Sequence, residues 1–276
     1  MEYNGGFDVI DMAAEEIKRI ISEKEFVIYG AGSVGKRFLK IIEKMGFRDK
    51  VIGFAVTEID ENQKNEGIPI RKIDRYDKTV LIMIAVHDVV YEEIKWTLQS
   101  KGYNNHIWIY PFFTELCYGA VSNTKMFQTS HIISKLDRIY SHVLIAMVIE
   151  ECLDCNNVGI DIYKRYFEFF CNKDTARART ESLIGKIENA LVNGFKQYGP
   201  IDMSRDMRVI LDGAHRLMLA HYFGNKNVLV NIHECKSDDY YYLVNFSLTD
   251  SVLTRIFEPK QVQLIREMDQ SLRGSL

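Results

Sequence analysis

The residues of this sequence best placed to do chemistry fall in one short stretch, Asp212-Gly-Ala-His-Arg216, which sets a carboxylate, an imidazole and a guanidinium side by side. The apolar run Val209 to Leu211 before it reads as a buried strand. Leu217, Leu219, Ala220 and Phe223 after it read as the inner side of a helix that Gly224 closes. A turn at a helix N-terminus suits a phosphate. The free backbone N–H groups and the positive helix end attract an anion, Gly213 lets the chain approach it closely, and Arg216 offers a planar fork of donors. The same letters also describe an Asp212 that caps the helix and a His215 that is simply a satisfied surface or core residue. Taken alone, the turn leaves both readings open.

A second stretch has a nucleotide pattern. Phe26-Val-Ile-Tyr-Gly30 reads as a strand, Gly30-Ala-Gly-Ser-Val-Gly35 follows, and Lys36 to Met45 continues as a helix with Phe38, Ile41 and Ile42 on one face. Strand, G-x-G-x-x-G, helix is the context of the dinucleotide fingerprint, which makes Gly30, Gly32, Ser33, Val34 and Gly35 candidate ligand-binding residues. An NAD site would carry Asp or Glu at the end of the next strand, but Lys50 to Phe54 runs on as Ala55-Val56-Thr57 and the first acid is Glu58. NAD is therefore doubtful, and an oxidoreductase would also lack a Tyr-x-x-x-Lys pair in the expected helical position after the fingerprint. Another nucleotide, a nucleotide sugar or an empty structural crevice stays open.

Two smaller features complete the set. His87 and Asp88 follow the apolar strand Val80 to Val86, where open α/β sheets bind ligands, and equally suit a polar turn capping the helix Tyr91 to Lys101. Cys152-Leu-Asp-Cys155 is a lone C-x-x-C. Neither Cys171 nor Cys235 brings the second pair that a structural zinc needs, so these read as ordinary helix-end cysteines.

The elements that must position these residues follow from hydrophobic period. Ile10, Ala13, Ile17, Ile20 and Ile21 predict a helix over 8–23, and residues 1–118 read as one α/β domain of parallel strands, with a return strand at Gly67-Ile-Pro-Ile70 and another at Ile107 to Tyr110. Over 119–160, Ile132, Ile133, Leu136, Ile139, Val143, Ala146 and Met147 predict a long helix with one apolar face, a helical connection between domains that Asn156-Asn-Val-Gly159 stops. Residues 161–276 read as a second, α+β domain. Its aromatic cluster Tyr163 to Phe170 is core, Lys173 to Arg179 is a polar, basic loop, and Thr180 to Gly194 is a helix capped at Thr180 or Glu181. Val228 to Ile232 and Tyr240 to Phe246 are strands, and 259–272 is a closing helix.

Composition limits what this framework can be. A chain of 276 residues, 47% hydrophobic and 26% charged, has room for two cores and is too apolar to be disordered. A net charge of -3 gives no basic field for nucleic acid. The longest apolar runs fall well short of the roughly 20 residues that cross a bilayer. Acids at Glu2, Asp8, Asp11, Glu15 and Glu16 argue against a secretory signal. Five scattered cysteines fit reduced thiols, so the expected location is cytoplasmic.

Two resemblances add to this reading. Val27-Ile-Tyr-Gly-Ala-Gly-Ser-Val-Gly35, Val51-Ile-Gly-Phe54, Gly67-Ile-Pro-Ile70 and the run Ile82-Met-Ile-Ala85 resemble the Rossmann-like domains found beside sugar-modifying enzymes of bacterial surface-polysaccharide pathways. From 170 to 235, the Arg-containing segment, the Leu-Ile-x-x-Ile helix ending at Gly194, Asp212-Gly-Ala-His-Arg-Leu217, Gly224 and Val228-Leu-Val are similar to the ParB/sulfiredoxin superfamily. Ala214 stands where sulfiredoxins carry their reacting cysteine, and the chain lacks the basic DNA-reading domain of partition proteins. The resemblance therefore points to the kinase-like branch. It implies a nucleotide-dependent kinase or phosphotransferase using ATP or another nucleoside phosphate with Mg²⁺, on a small hydroxylated metabolite or sugar. In that scheme Gly213, Ala214, His215 and Arg216 hold phosphate, with Arg177 and Arg179 reaching toward it. Asp212 holds the metal or orients the acceptor, His215 takes part in catalysis, and Asp174 is the upstream base, with Glu181 behind it. The partners implied are a nucleotide and a small-molecule or sugar substrate, without nucleic acid or a membrane span, and with a homo-oligomer open. A non-catalytic, nucleotide-gated binding module is the alternative.

Overall fold

Strands rich in aliphatic and aromatic residues alternate with amphipathic helices from the first described residue, and the result is a mixed α/β protein with two separate sheets. The structure, a computed structural model, describes residues 14–58, 67–155, 157–243 and 248–274. The chain divides into two units between Gly119 and Ala120.

In the first unit α1 (Ala14–Glu23) buries Ala14, Ile17 and Ile21, one helical face. The expected positions Ile10 and Ala13 lie outside the described residues, as does most of the polar stretch 60–67. β1 (Phe26–Tyr29) is buried at every position. It leads into α2 (Ser33–Lys44), whose Phe38, Leu39, Ile41 and Ile42 face inward. β2 (Val51–Val56), β3 (Ile70–Lys72), β4 (Leu81–Ile84), α3 (Asp88–Ser100), β5 (His106–Trp108) and α4 (Phe113–Tyr118) follow. The five strands run in the order β3-β2-β1-β4-β5, and every pairing is parallel. β1 and β4 are apolar throughout because a parallel sheet is covered on both faces. Tyr29 sits opposite Ala55 on one side and Ile84 on the other. The carboxyl ends of β1 and β4 are thus neighbours at the point where strand order reverses, the usual place for a ligand crevice.

The second unit comprises β6 (Val121–Gln128), α5 (Thr129–Lys135), α6 (Ser141–Cys152), α7 (Gly159–Phe170), α8 (Lys173–Asn193), β7 (Ile201–Met203), β8 (Ile210–Asp212), α9 (Ala214–Tyr222), β9 (Asn227–His233), α10 (Ser237–Leu243), α11 (Asp250–Ile256) and α12 (Pro259–Gly274). Its sheet runs β6-β9-β7-β8, with β7 parallel to β9 and the other pairs antiparallel. Ile201, Met203, Val228 and Val230 turn one face of the sheet into the helical core, where α6 lies with His142 to Ile149 all buried.

Three expectations are corrected here. Residues 119–160 are not one connecting helix. They supply a strand and two helices to the second unit, and the break between α5 and α6 arises because Asp137 N–H donates to Arg208 C=O and Tyr140 N–H to Leu248 C=O. From Val143 to Ile149 α6 is apolar on every side, which suits a segment that is buried on every side. Lys173 to Arg179 is not a loop but the first two turns of α8. Asn172 caps that helix by accepting from Thr175 N–H at 2.8 Å, and Asp174–Arg177–Glu181 pairing supports it. Tyr240 to Leu243 is helical rather than extended, with Asp238 and Asp239 in the first turn and the Asp239 carboxylate accepting from Lys236 N–H; 244–247 lie outside the described residues.

Candidate functional site

Hydrophobic alternation along β7 and β9 decides which side chains leave the core. Ile201 and Met203 point to the helices, so Asp202 points to the opposite face. Val228 and Val230 point in, so Asn231 and His233 point the other way. Register then aligns residues from four strands: Thr124 pairs with Asn231, Asn231 with Asp202, and Asp202 with Asp212. The row is bonded across: Thr124 Oγ1 donates to Asn231 Oδ1 at 2.8 Å, and Asn231 Nδ2 donates to Asp202 Oδ1 at 3.1 Å. His233 Nε2 donates to the same Oδ1 at 2.8 Å.

Asp212 ends β8, and the chain enters α9 through Gly213 in the left-handed conformation, φ 93°. A side chain there would be strained, and its Cβ would also fall 2.8 Å from Arg216 Nη2. Glycine is needed so that the guanidinium can fold back over the turn. Arg216 Nη2 donates to Asp212 Oδ2 at 3.0 Å, lies 4.0 Å from Asp202 Oδ2, and its guanidinium sits 5.6 Å from the Tyr198 ring centre. Arg216 Nε is buried and has no hydrogen-bond partner among the described residues. No side chain caps α9, so Asp212 is not its cap, and the N–H groups of the first turn are left for another acceptor.

His215 faces the other way. Its Nε2 lies 3.1 Å from the Tyr163 hydroxyl on α7. Burial first, then the positive charges of Lys186, Arg179 and Arg216, push its imidazole down to about 4, with Asp212 pulling in the opposite sense. A neutral ring anchors the turn to the helical core. Burial opposes charge on Asp202 too, but the hydrogen bonds from His233 and Asn231 and the Arg216 charge outweigh it and hold the carboxyl below its usual range.

The structure thus gathers Asp212, Gly213, Ala214, His215 and Arg216 at one helix start, with Arg179 close enough to influence His215 and packed 5.0 Å from the Phe167 ring centre. It does not bring in Asp174 or Arg177. Asp174 is 87% exposed at the start of α8 and accepts from Arg177 at 3.2 Å, and no described contact joins either to the turn. Sequence reasoning missed Asp202, Asn231 and His233. The legible clue was a lone acid between Ile201 and Met203, a polar residue in an otherwise apolar strand. Among the described residues no group of three or more His, Cys, Asp or Glu is placed to hold a metal unaided.

The fingerprint of the first unit has its own geometry. Gly30 adopts φ 107°, and a Cβ on it would meet Ala85 O at 2.9 Å; a Cβ on Gly35 would meet Gly30 O at 1.8 Å. These two glycines let α2 sit against the ends of β1 and β4. A Cβ on Gly32 would meet nothing within 4 Å, Ser33 is exposed, Val34 is buried, and no side chain caps α2. Beside this turn, His87 Nδ1 lies 2.8 Å from the Tyr110 hydroxyl, so His87 is tied to the end of β5 rather than free. The five cysteines are free thiols, with Cys152 closing α6 and Cys155 exposed beyond it.

No helix among the described residues is long and apolar enough to cross a membrane. Comparison of the chain with family models, with curated proteins and with solved structures finds no match.

Proposed function

We propose that the second unit binds the phosphates of a nucleotide at the start of α9 and transfers a phosphoryl group to a small hydroxylated metabolite or sugar. The observation that carries this reading is the uncapped first turn of α9, entered through left-handed Gly213 and overlaid by an arginine anchored between two carboxylates. Backbone N–H groups, the helix dipole and Arg216 supply positive charge at one spot, which is what phosphoryl transfer chiefly requires of a protein. Asp212, 69% exposed, is the carboxylate free to share a Mg²⁺ ion with those phosphates, and the ion would neutralise their charge. His215 serves by holding the turn rather than by touching the nucleotide.

Within the same reading, the Rossmann-like order of the first sheet and the open space over Gly32 support a nucleotide or nucleotide-sugar site at Gly30 to Gly35. Calorimetry with ATP and CTP in Mg²⁺ tests the main claim. Arg216→Ala should weaken binding about tenfold or more, since a charge-assisted bond to phosphate is worth about 1.5–3 kcal/mol. His215→Ala should lower affinity and stability together. An Arg216→Ala variant that binds as wild type sinks the reading, and binding without transfer to any acceptor leaves a nucleotide-gated binding module instead.

A further inference from the structure

One carboxylate oxygen of Asp202 makes no hydrogen bond among the described residues. Its Oδ1 takes both available donors, His233 Nε2 at 2.8 Å and Asn231 Nδ2 at 3.1 Å. Among the described residues its Oδ2 makes no hydrogen bond, and it faces Arg216 Nη2 across 4.0 Å. That separation is too long for a direct bond, and one oxygen atom placed between them can stand at about 2.8 Å from each. Such an atom must accept from the guanidinium and donate to the carboxylate. A fully ionised phosphate oxygen cannot donate, so the group that fits carries an O–H: a water molecule, or an acceptor hydroxyl that takes its place.

The surroundings fix the carboxylate for this use. Asp202 is 16% exposed, lies on β7 between two neighbouring strands, and is held from behind by His233, itself 2% exposed. Opposite it on β8, Asp212 is solvent-facing and bonded to the same arginine. The two acids of one cross-strand pair are therefore unlike: Asp212 is exposed enough to meet a metal and phosphates, and Asp202 is half-buried and aimed by a histidine.

Resting on the phosphotransferase reading above, we infer that Asp202 is the residue that takes the proton from the acceptor hydroxyl, with His233 as its positioning residue and Arg216 as the donor that orients the same hydroxyl. In the step so assigned, the acceptor oxygen forms a bond to the terminal phosphorus of a nucleoside triphosphate. The bond from that phosphorus to the bridging oxygen breaks, its electron pair leaves with the nucleoside diphosphate, and the hydroxyl proton passes to Asp202 Oδ2. No oxidant or reductant is involved. A loose phosphoryl transition state asks little basicity of this carboxylate, so a strongly ionised aspartate suffices.

The test measures ATP and CTP affinity in Mg²⁺ and, separately, nucleoside diphosphate release with glycerol, serine, a hexose panel and water as acceptors. Asp202→Asn keeps both acceptor positions for His233 and Asn231 and should fold. It should bind nucleotide within threefold of wild type and lose at least a hundredfold in turnover. His233→Leu, which cannot donate to Asp202, should retain part of the activity but shift the acidic limb of the pH–rate profile upward by about one unit, because a carboxylate that loses a donor ionises at higher pH; His233→Gln, whose amide can donate to the same oxygen, should bring the limb back, and a structural role alone would leave it in place in both variants. Turnover of Asp202→Asn within threefold of wild type overturns the assignment and leaves the phosphotransferase reading standing. A wild-type chain that binds neither nucleotide overturns both. One that binds but transfers to no acceptor, water included, overturns the assignment and the transfer step while leaving the nucleotide site.

Discussion

The two glycine-entered turns of this protein solve the same geometric problem and differ in what they leave available for chemistry. Gly30 to Gly35 carries no titratable side chain; its glycines at 30 and 35 are consumed by packing, since a Cβ on either would strike backbone at 2.9 Å and 1.8 Å. What it offers a ligand is backbone and the uncharged Ser33 hydroxyl. Asp212 to Arg216 uses one left-handed glycine and fills the space saved with its own arginine. It offers backbone, a guanidinium and two carboxylates on adjacent strands. A turn of the first kind can hold a phosphate. A turn of the second kind can also act on one.

The largest effect that would test this contrast is Gly35→Ala. The added methyl would sit 1.8 Å from Gly30 O, which is backbone and cannot rotate away, so α2 must lift from the sheet. Overpacking of this kind costs about 3 kcal/mol or more, and urea denaturation should show it as a lost or much earlier transition of the first unit. A variant as stable as wild type would mean that the strand–helix contact is not as close as described.

A smaller effect separates the turns by pH. His215 is held down to about 4 and the buried His142 of α6 to about 3, in both cases by burial first, with Arg273 adding to the effect at His142. A free imidazole titrates near 6.5. Above that pH both states are neutral and the full stability is present. As pH falls below it the unfolded chain takes up protons that the folded chain refuses, and stability is lost progressively toward the folded values. At pH 5 each imidazole should account for a loss of about 2 kcal/mol. Thermal melts at pH 7 and pH 5 should therefore diverge, and His215→Gln should narrow the gap. If His215→Gln leaves it unchanged, the ring is solvated and the turn is not anchored through Tyr163.

The same contrast shows what could be read from letters alone. The glycine turns and the strands feeding them were legible because their signals are local: a glycine spacing, an apolar run, a helical stripe. The four-strand polar row was not. Thr124, Asn231, Asp202 and Asp212 meet only through register between strands far apart in sequence, and no window around Asp202 holds its partners. Asp174 is not joined to the turn by any described contact, for the complementary reason. Its segment looked like a loop because it is polar, yet Ala, Lys and Arg are good helix formers, and Asn172 starts α8 early enough to leave Asp174 in solvent. The start of the strand expected from Tyr240, up to Leu243, is helical likewise, since aromatic content outvoted two acids placed to begin a helix.

The smallest effect on stability tests the first turn most directly. Gly32 has φ -81°, which any residue adopts, and open space where a Cβ would stand. Gly32→Ala loses a little as a helix cap and gains by restricting the unfolded chain, so the net change should be within about 0.5 kcal/mol. Its cost should fall on binding. A methyl group there stands in front of the N–H groups that start α2, and a phosphate seated on them would have to withdraw. Measured in an Arg216→Ala background, so that the second turn is silent, UDP-glucose and ADP affinity should fall tenfold or more. If Gly32→Ala changes neither stability nor affinity, the glycine pattern of the first unit serves packing alone, and only the turn that carries its own charges is left as a phosphate site.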